Sequence, residues 1–116
     1  GFYLYVESSR TIVGDTARVI SPTVNSSPAG HCLLFWYHMY GDSTGNLTVS
    51  YLTNMGREEV LWSMTGDQGN EWRSQHVNIT STGGYSFNII FEATVAGFMG
   101  DVAIDDISIQ NSLCGS

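Results

Sequence analysis

The sequence predicts an all-β domain built as a sandwich or a jelly roll. Apolar residues alternate with polar ones along about eight short segments, which is the two-residue period of strands. Turn signals rich in Gly, Pro, Asn and Ser separate these segments. No segment sustains apolar residues at the helical spacing of i, i+3, i+4 and i+7. The length of 116 residues suits one domain, and we expect residues 1–116 to form it.

The composition marks the loops between the expected strands. The polar stretch 21–30 contains both prolines, and the pair Gly83-Gly84 turns the chain before a run of alternating apolar residues. Residues 32–40 are apolar or aromatic at nearly every position, which predicts a central strand buried on both faces or nearly so. The expected strands cover residues 2–6, 17–20, 32–40, 47–51, 60–64, 72–79, 85–91 and 102–109.

The last expected strand changes parity in its middle. Val102 and Ile104 share one face of a regular strand, whereas Ile107 and Ile109 share the other. A β-bulge near 105–106 returns all four side chains to one core, and we expect this bulge. A strand that is buried on both sides is the alternative that needs no bulge.

The charge balance excludes several classes of partner. Four Lys and Arg against eleven Asp and Glu give a formal net charge of −7. A surface of this sign repels polyanions, so we expect no binding to nucleic acid or anionic lipid. No apolar run approaches the roughly 18 residues of a membrane span, so we expect no direct membrane insertion. Charged residues make up only 13% of the chain, against roughly 25% in ordinary domains, and attached sugar would explain this deficit.

Cysteines and sequons together favour the secretory pathway. Cys32 and Cys114 leave two interpretations, two thiols in a cytosolic protein or one long-range disulfide in a secreted one. N-x-[ST] sequons begin at Asn25, Asn46 and Asn78. Because such sequons are used only in the secretory pathway, they favour the disulfide. We expect all three asparagines to be exposed.

The sequence offers no convincing catalytic constellation. The segments around His31 and Ser43 are similar to pieces of a serine protease, but an extended strand between them would hold the two side chains far apart. The three histidines have no metal-binding spacing. We therefore expect no enzyme activity. The densest carboxylates are Asp101, Asp105 and Asp106, residue types that Ca²⁺ accepts and that also serve as turn and bulge residues.

Blocks along nearly the whole chain resemble the MAM domain, the family of meprin, the A5 neuropilin antigen and receptor phosphatase mu. The blocks are FYLYV at 2–6, HCLLFWYHMYG at 31–41, LWS at 61–63, GDQGNEW at 66–72, IFEA at 90–93, GDVAIDDIS at 100–108, and the final cysteine at 114. The resemblance implies a jelly-roll-like sandwich of two antiparallel sheets with a disulfide between Cys32 and Cys114. It also implies Asp105 as a candidate Ca²⁺ ligand. Family members normally open with a further segment carrying another cysteine pair, and this sequence begins after it.

The resemblance implies an extracellular, non-catalytic adhesion or oligomerisation module of a cell-surface or secreted multidomain protein. Such a module acts through protein contacts, homophilic or heterophilic, and its parent protein can carry a protease or phosphatase domain. The alternative is a carbohydrate-binding jelly roll with a glycan as the ligand. That alternative predicts a row of exposed Trp or Tyr on one sheet face, although Trp36, Trp62 and Trp72 mostly lie in runs typical of a buried core.

Overall fold

The computed structural model describes residues 10–12, 16–41, 44–80, 82–95 and 101–115. Strands form two four-stranded antiparallel sheets, which confirms the predicted all-β sandwich. We name sheet A the order β1-β8-β3-β6 and sheet B the order β2-β7-β4-β5. The strands are β1 Arg10–Ile12, β2 Thr16–Ile20, β3 His31–Tyr40, β4 Thr44–Thr53, β5 Glu58–Thr65, β6 Arg73–Ile79, β7 Phe87–Val95 and β8 Asp101–Gln110.

The pairing of the strands is nested in the manner of a jelly roll. The hairpin β4–β5 is innermost, and β3 pairs with β6, β2 with β7 and β1 with β8 around it. Further pairs between β3 and β8 and between β4 and β7 complete the two sheets. The long hairpin is therefore rolled over itself, and most of its contacts join distant parts of the sequence.

The core fills the space between the two sheets. Alternate residues of β3, β4 and β7 point inward, as the two-residue period of a strand requires. Sheet A contributes one layer and sheet B the other, and partly buried residues of β5 and β6 close the sides. The buried core consists of Val24, Leu33, Phe35, Tyr37, Met39, Leu47, Val49, Tyr51, Ile79, Phe87, Ile89, Phe91, Ala93, Val102, Ile104, Ile107 and Ile109.

The bulge expected in the last strand is present. Trp36 pairs with Asp105 and Leu34 pairs with Ser108, so β8 uses one residue more than β3 between these two pairs. Asp106 takes a φ of 52°, in the left-handed region. Its backbone N–H donates to Oδ1 of Asp105 at 2.8 Å. The bulge brings the four large apolar side chains of the strand into the core, namely Val102, Ile104, Ile107 and Ile109.

Substitution of Asp106 tests the bulge directly. A β-branched residue strains the left-handed backbone, so Asp106→Val is expected to lower the free energy of unfolding by about 1–3 kcal/mol. Asp106→Gly keeps the conformation without a Cβ and is expected to be nearly neutral. Urea denaturation of both variants gives the comparison, and equal midpoints would show that the bulge is not a constraint in solution.

One expectation about β3 is wrong in part. The strand is central in sheet A, as predicted, but its outer face is buried only near its start. Trp36 and Tyr40 point away from the core and are exposed, because nothing in the described part of the chain covers this end of the sheet. The apolar run in the sequence therefore reflects a buried inner face and an exposed aromatic outer face.

The strand expected at 60–64 is present as part of β5, and it contains a bulge that was not predicted. Val49 pairs with Trp62 and Ser50 pairs with Val60, so one extra residue interrupts β5 between them. This bulge turns Val60 outward, where it is 65% exposed. The strand expected at 2–6 lies outside the described residues, and the short edge strand β1 was not predicted.

Candidate functional site

Aromatic rings line the outer face of sheet A at the end of β3. The ring of His38 lies 5.5 Å from that of Trp72 and 6.2 Å from that of Tyr40. Tyr40 is 46% exposed, and Trp72 is 40% exposed. We call these three residues the aromatic ridge.

The loop before β6 holds the ridge in place. The N–H of Gln68 donates to the Met39 carbonyl at 2.8 Å, which ties the loop to the end of β3. Nε of Arg73 donates to the Gln68 carbonyl at 2.9 Å. Nε2 of His38 lies 3.1 Å from Oδ1 of Asn70. These contacts dock the loop on the end of β3 and place Trp72 beside His38.

Two grooves adjoin the ridge and share Trp36 and Asp106. We call them the upper and the lower groove. The upper groove has a volume of about 270 Å³ and is lined by Trp36, Trp72, Asp105 and Asp106. The lower groove has a volume of about 180 Å³ and lies between β3, β6 and β8, and its polar lining comes from Ser74, Gln75, His76, Asp106 and Ser108. Trp36 is 42% exposed, so the outer face offers flat rings beside carboxylates and hydroxyls.

The outer face of sheet B has a different character. Nε of Arg18 lies 3.2 Å from Oε2 of Glu92, and its guanidinium reaches Glu58 at 3.8 Å. Ser50 donates to the same Glu58 carboxylate at 3.3 Å. Exposed aliphatic residues occur there singly, on the two opposite edge strands β2 and β5. Ile20 pairs with the buried Ile90, so each edge of this face exposes one aliphatic side chain and lacks neighbouring exposed rings of the kind on sheet A.

The two cysteines form a disulfide that joins the start of β3 to the turn after β8. The sulfur atoms of Cys32 and Cys114 lie 2.01 Å apart, and their Cα atoms lie 4.8 Å apart. Asn78, which pairs with Cys32 across the sheet, accepts a hydrogen bond at Oδ1 from the Cys114 N–H at 2.7 Å. The side chain of this sequon asparagine is therefore anchored to the bridge.

All three sequon asparagines are exposed, as expected. Asn25 lies in the loop after β2, and Asn46 lies on the outer face of sheet B. Asn78 lies on the outer face of sheet A, at the end away from the aromatic ridge. Each position is accessible to a glycan, and attachment itself stays a prediction.

The hydrogen bond at Asn78 can be separated from its glycan. In a secreting host, Thr80→Ala and Asn78→Ala both remove the sequon, so both are expected to lose the same glycan mass. Only Asn78→Ala also removes the bond to Cys114, which is worth about 0.5–1.5 kcal/mol. When both variants are made without glycosylation, thermal unfolding should therefore show a lower melting temperature for Asn78→Ala alone. Equal stability would mean that the hydrogen bond contributes nothing.

The structure places Asp105 in the bulge of β8, where Oδ1 accepts the Asp106 N–H. Within the described ranges, no three His, Cys, Asp or Glu side chains converge on one point. Ca²⁺ takes six to eight oxygen ligands, and these residues alone do not supply them. Binding of Ca²⁺ at Asp105 stays a prediction from the resemblance.

A cavity of about 480 Å³ lies at one end of the sandwich, beside His31, Ser26, Ser27 and Thr82. His31 is buried at 2% exposure, with its ring against Phe87, and neither ring nitrogen has a partner in hydrogen-bonding geometry among the described residues. The imidazole is therefore packed as a core residue, and Ser43 lies outside the described residues. The Thr82 hydroxyl beside this cavity stabilises its own turn, because it donates to the Tyr85 carbonyl.

Burial lowers the pKa of His31 below its ordinary value of 6.5, and the nearby Gln110 carbonyl and Asn111 side chain oppose this only in part. The unfolded chain therefore takes up a proton at a higher pH than the folded domain. The contribution of the neutral His31 to stability is fully present above the unfolded pKa of 6.5 and is lost as the pH falls below that value. We expect the melting temperature to drop between pH 7.5 and 5.5, and the drop to shrink in His31→Phe. An equal drop in both proteins would assign the effect to other groups.

The family can now be stated from comparison with known proteins. The protein-family model described as "MAM domain, meprin/A5/mu" matches residues 1–115. The chain belongs to the MAM domain family. It is 40% identical over 118 residues to MAM domain-containing glycosylphosphatidylinositol anchor protein 1 of Homo sapiens, covering 98% of this chain and 12% of that protein. It is 37% identical over 119 residues to neuropilin-1 of Xenopus laevis, covering 100% of this chain and 13% of that protein.

Solved structures share the fold of this MAM domain. The K1 cleaved adhesin domain of Lys-gingipain from Porphyromonas gingivalis superposes with a TM-score of 0.63 at 16% identity, covering 93% of this chain and 70% of that one. A family 29 carbohydrate-binding module superposes with a TM-score of 0.62 at 12% identity, covering 95% of this chain and 75% of that one. These likenesses establish the jelly-roll sandwich alone. The MAM domain is an extracellular domain, and its described part contains no helix able to cross a membrane.

Proposed function

We propose that this MAM domain is a non-catalytic adhesion module in the extracellular part of a membrane-anchored protein, and that it binds a partner protein through the outer face of sheet A. The observation that carries the proposal is the aromatic ridge, in which Tyr40 and Trp72 remain 46% and 40% exposed although both contact His38. Relatives named for a glycosylphosphatidylinositol anchor support the membrane-anchored setting.

The ridge has the composition of a protein interface. Trp and Tyr are enriched among the residues that dominate binding energies, because their large rings lose little side-chain entropy on contact. The loop contacts of Gln68 and Asn70 hold the ridge before any partner arrives, and such preorganisation lowers the entropic cost of binding. Burial of these neighbouring exposed rings against a partner is therefore more favourable than leaving them in contact with water.

The charge of the face favours a cationic partner. Asp105 and Asp106 line the upper groove beside Trp36 and Trp72. The whole chain carries a formal charge of −7, so two copies repel each other. A protein surface with Arg or Lys is attracted to this acidic face and stacks on the exposed rings of Tyr40 and Trp72. We therefore propose heterophilic binding that weakens as salt is added.

Binding of clustered domains to cells, measured by flow cytometry, tests this proposal. Tyr40→Ala and Trp72→Ala are expected to weaken binding about tenfold or more, as truncation of central aromatic residues does. Ile20→Ala and Val60→Ala, on the outer face of sheet B, are the matched controls and should bind as the unaltered domain does. Loss of binding in the controls with retention in the ridge variants would overturn the assignment.

A further inference from the structure

The lower groove lies beside the aromatic ridge but differs from it in chemistry. It runs between β3, β6 and β8, with Trp36 at one end and the pair of Leu34 and His76 at the other. Ser74 and Ser108 belong to the strands on either side of β3. Its lining therefore combines one flat ring with a carboxylate, an imidazole, an amide and hydroxyls, all on sheet A.

This combination matches the two sides of a sugar ring. The C–H face of a pyranose packs on an indole, whose negative π face attracts the weakly positive hydrogens. A carboxylate accepts hydrogen bonds from two neighbouring hydroxyls, and Ser, Gln and His groups both donate and accept. Trp36 offers the ring and Asp106 the carboxylate, and both belong to the upper groove as well. An extended chain of sugars lying along the sheet would therefore meet both grooves in turn.

We propose that the two grooves bind a neutral oligosaccharide carried by the partner protein. The inference rests on the proposed function, because it assigns part of that same face to the partner's glycan. Neutral sugars are favoured over acidic ones, since Asp105 and Asp106 line the upper groove and the chain carries a formal charge of −7. A terminal sialic acid or a sulfate would place a negative charge against these carboxylates.

The division of the face gives residues that separate glycan binding from protein binding. Asp106→Gly keeps the left-handed backbone of the bulge and removes the shared carboxylate. His76→Ala changes only an exposed side chain of the lower groove. Tyr40→Ala changes the ridge and leaves both grooves intact, because Tyr40 lines neither of them.

Indole N–H signals in two-dimensional NMR spectra provide the readout. The chain has three tryptophans, and Trp62, which packs against the core rings of Phe35 and Tyr37, is an internal control. The probe is a desialylated biantennary N-glycan, and its sialylated form is the comparison. The domain itself is trimmed to one GlcNAc per sequon so that its own glycans do not compete.

We expect the desialylated glycan to shift the Trp36 signal saturably, with a dissociation constant of roughly 0.1–1 mM, and to leave Trp62 unmoved. Asp106→Gly should weaken this binding about tenfold, as loss of hydrogen bonds to a charged group does. His76→Ala should also weaken it, whereas Tyr40→Ala should not. The sialylated glycan should bind at least about threefold more weakly. The spectra of each variant also show whether it is folded.

Two outcomes would overturn the inference. If millimolar glycan causes no shift in a folded domain that still binds cells, the grooves do not bind this glycan. The proposed protein contact would then still stand. Equal or tighter binding of the sialylated glycan would contradict the assigned neutral chemistry. Loss of cell binding in Tyr40→Ala with retained glycan binding would support both assignments separately.

Discussion

Removal of the Cys32–Cys114 disulfide is expected to lower the free energy of unfolding by ~4.5 kcal/mol, from the chain-entropy model applied to a sequence separation of 82 residues. A domain of this size has a total stability of roughly 5–15 kcal/mol, so this is a large share. The bridge ties β3, in the middle of sheet A, to the turn after β8. The double variant Cys32→Ala with Cys114→Ala should therefore unfold at much lower urea concentration.

Reduction of the unaltered domain is the control for this variant. The reduced domain and the double variant should have similar denaturation midpoints, because both lack the same constraint on the unfolded chain. Circular dichroism against urea concentration measures both. Midpoints equal to that of the oxidised domain would show that the nested strand pairing alone holds the sandwich closed.

Phe35→Ala is expected to cost about 3–5 kcal/mol, the usual result of truncating a buried aromatic residue. The Phe35 ring is fully buried, and its centroid lies 5.3 Å from those of Trp62 and Phe91, so it joins β3 to both β5 and β7. Its sequence neighbour provides a matched control. Trp36→Ala removes a larger ring from the opposite face and should change stability by less than about 1 kcal/mol.

The comparison of these neighbours tests which face of β3 is inside. Chemical denaturation of both variants gives the two free energies under one set of conditions. A larger loss in Trp36→Ala than in Phe35→Ala would mean that the outer face of sheet A is covered in solution. Such a result would contradict the exposed aromatic ridge and grooves together.

Much of the fold could be predicted from the two-residue period of apolar residues. The change of parity between Ile104 and Ile107 indicated the bulge, because a regular strand cannot place both side chains on the same face. The bulge in β5 left no such signal. Val60, Leu61 and Trp62 are all apolar, so the sequence is compatible with either register.

The candidate site was harder to predict than the fold. Trp36, His38 and Tyr40 share a parity opposite to that of Phe35 and Tyr37, and all three carry a polar group, which could have suggested an outer face. Whether such a face is covered depends on distant parts of the chain, which local patterns do not reveal. The position of Trp72 beside His38 likewise depends on how the preceding loop docks on β3.

A glycan introduced into one sheet face at a time tests the central claim most directly. In a glycosylating host, Asp106→Asn creates a sequon with Ser108 on the outer face of sheet A, and asparagine tolerates the left-handed backbone at that position. Ser63→Asn creates one with Thr65 on the outer face of sheet B, where Ser63 is exposed. Mass spectrometry establishes that each new glycan is attached. We expect the glycan on sheet A to abolish binding to cells and the glycan on sheet B to leave it unchanged; full binding with a glycan on sheet A would contradict the account.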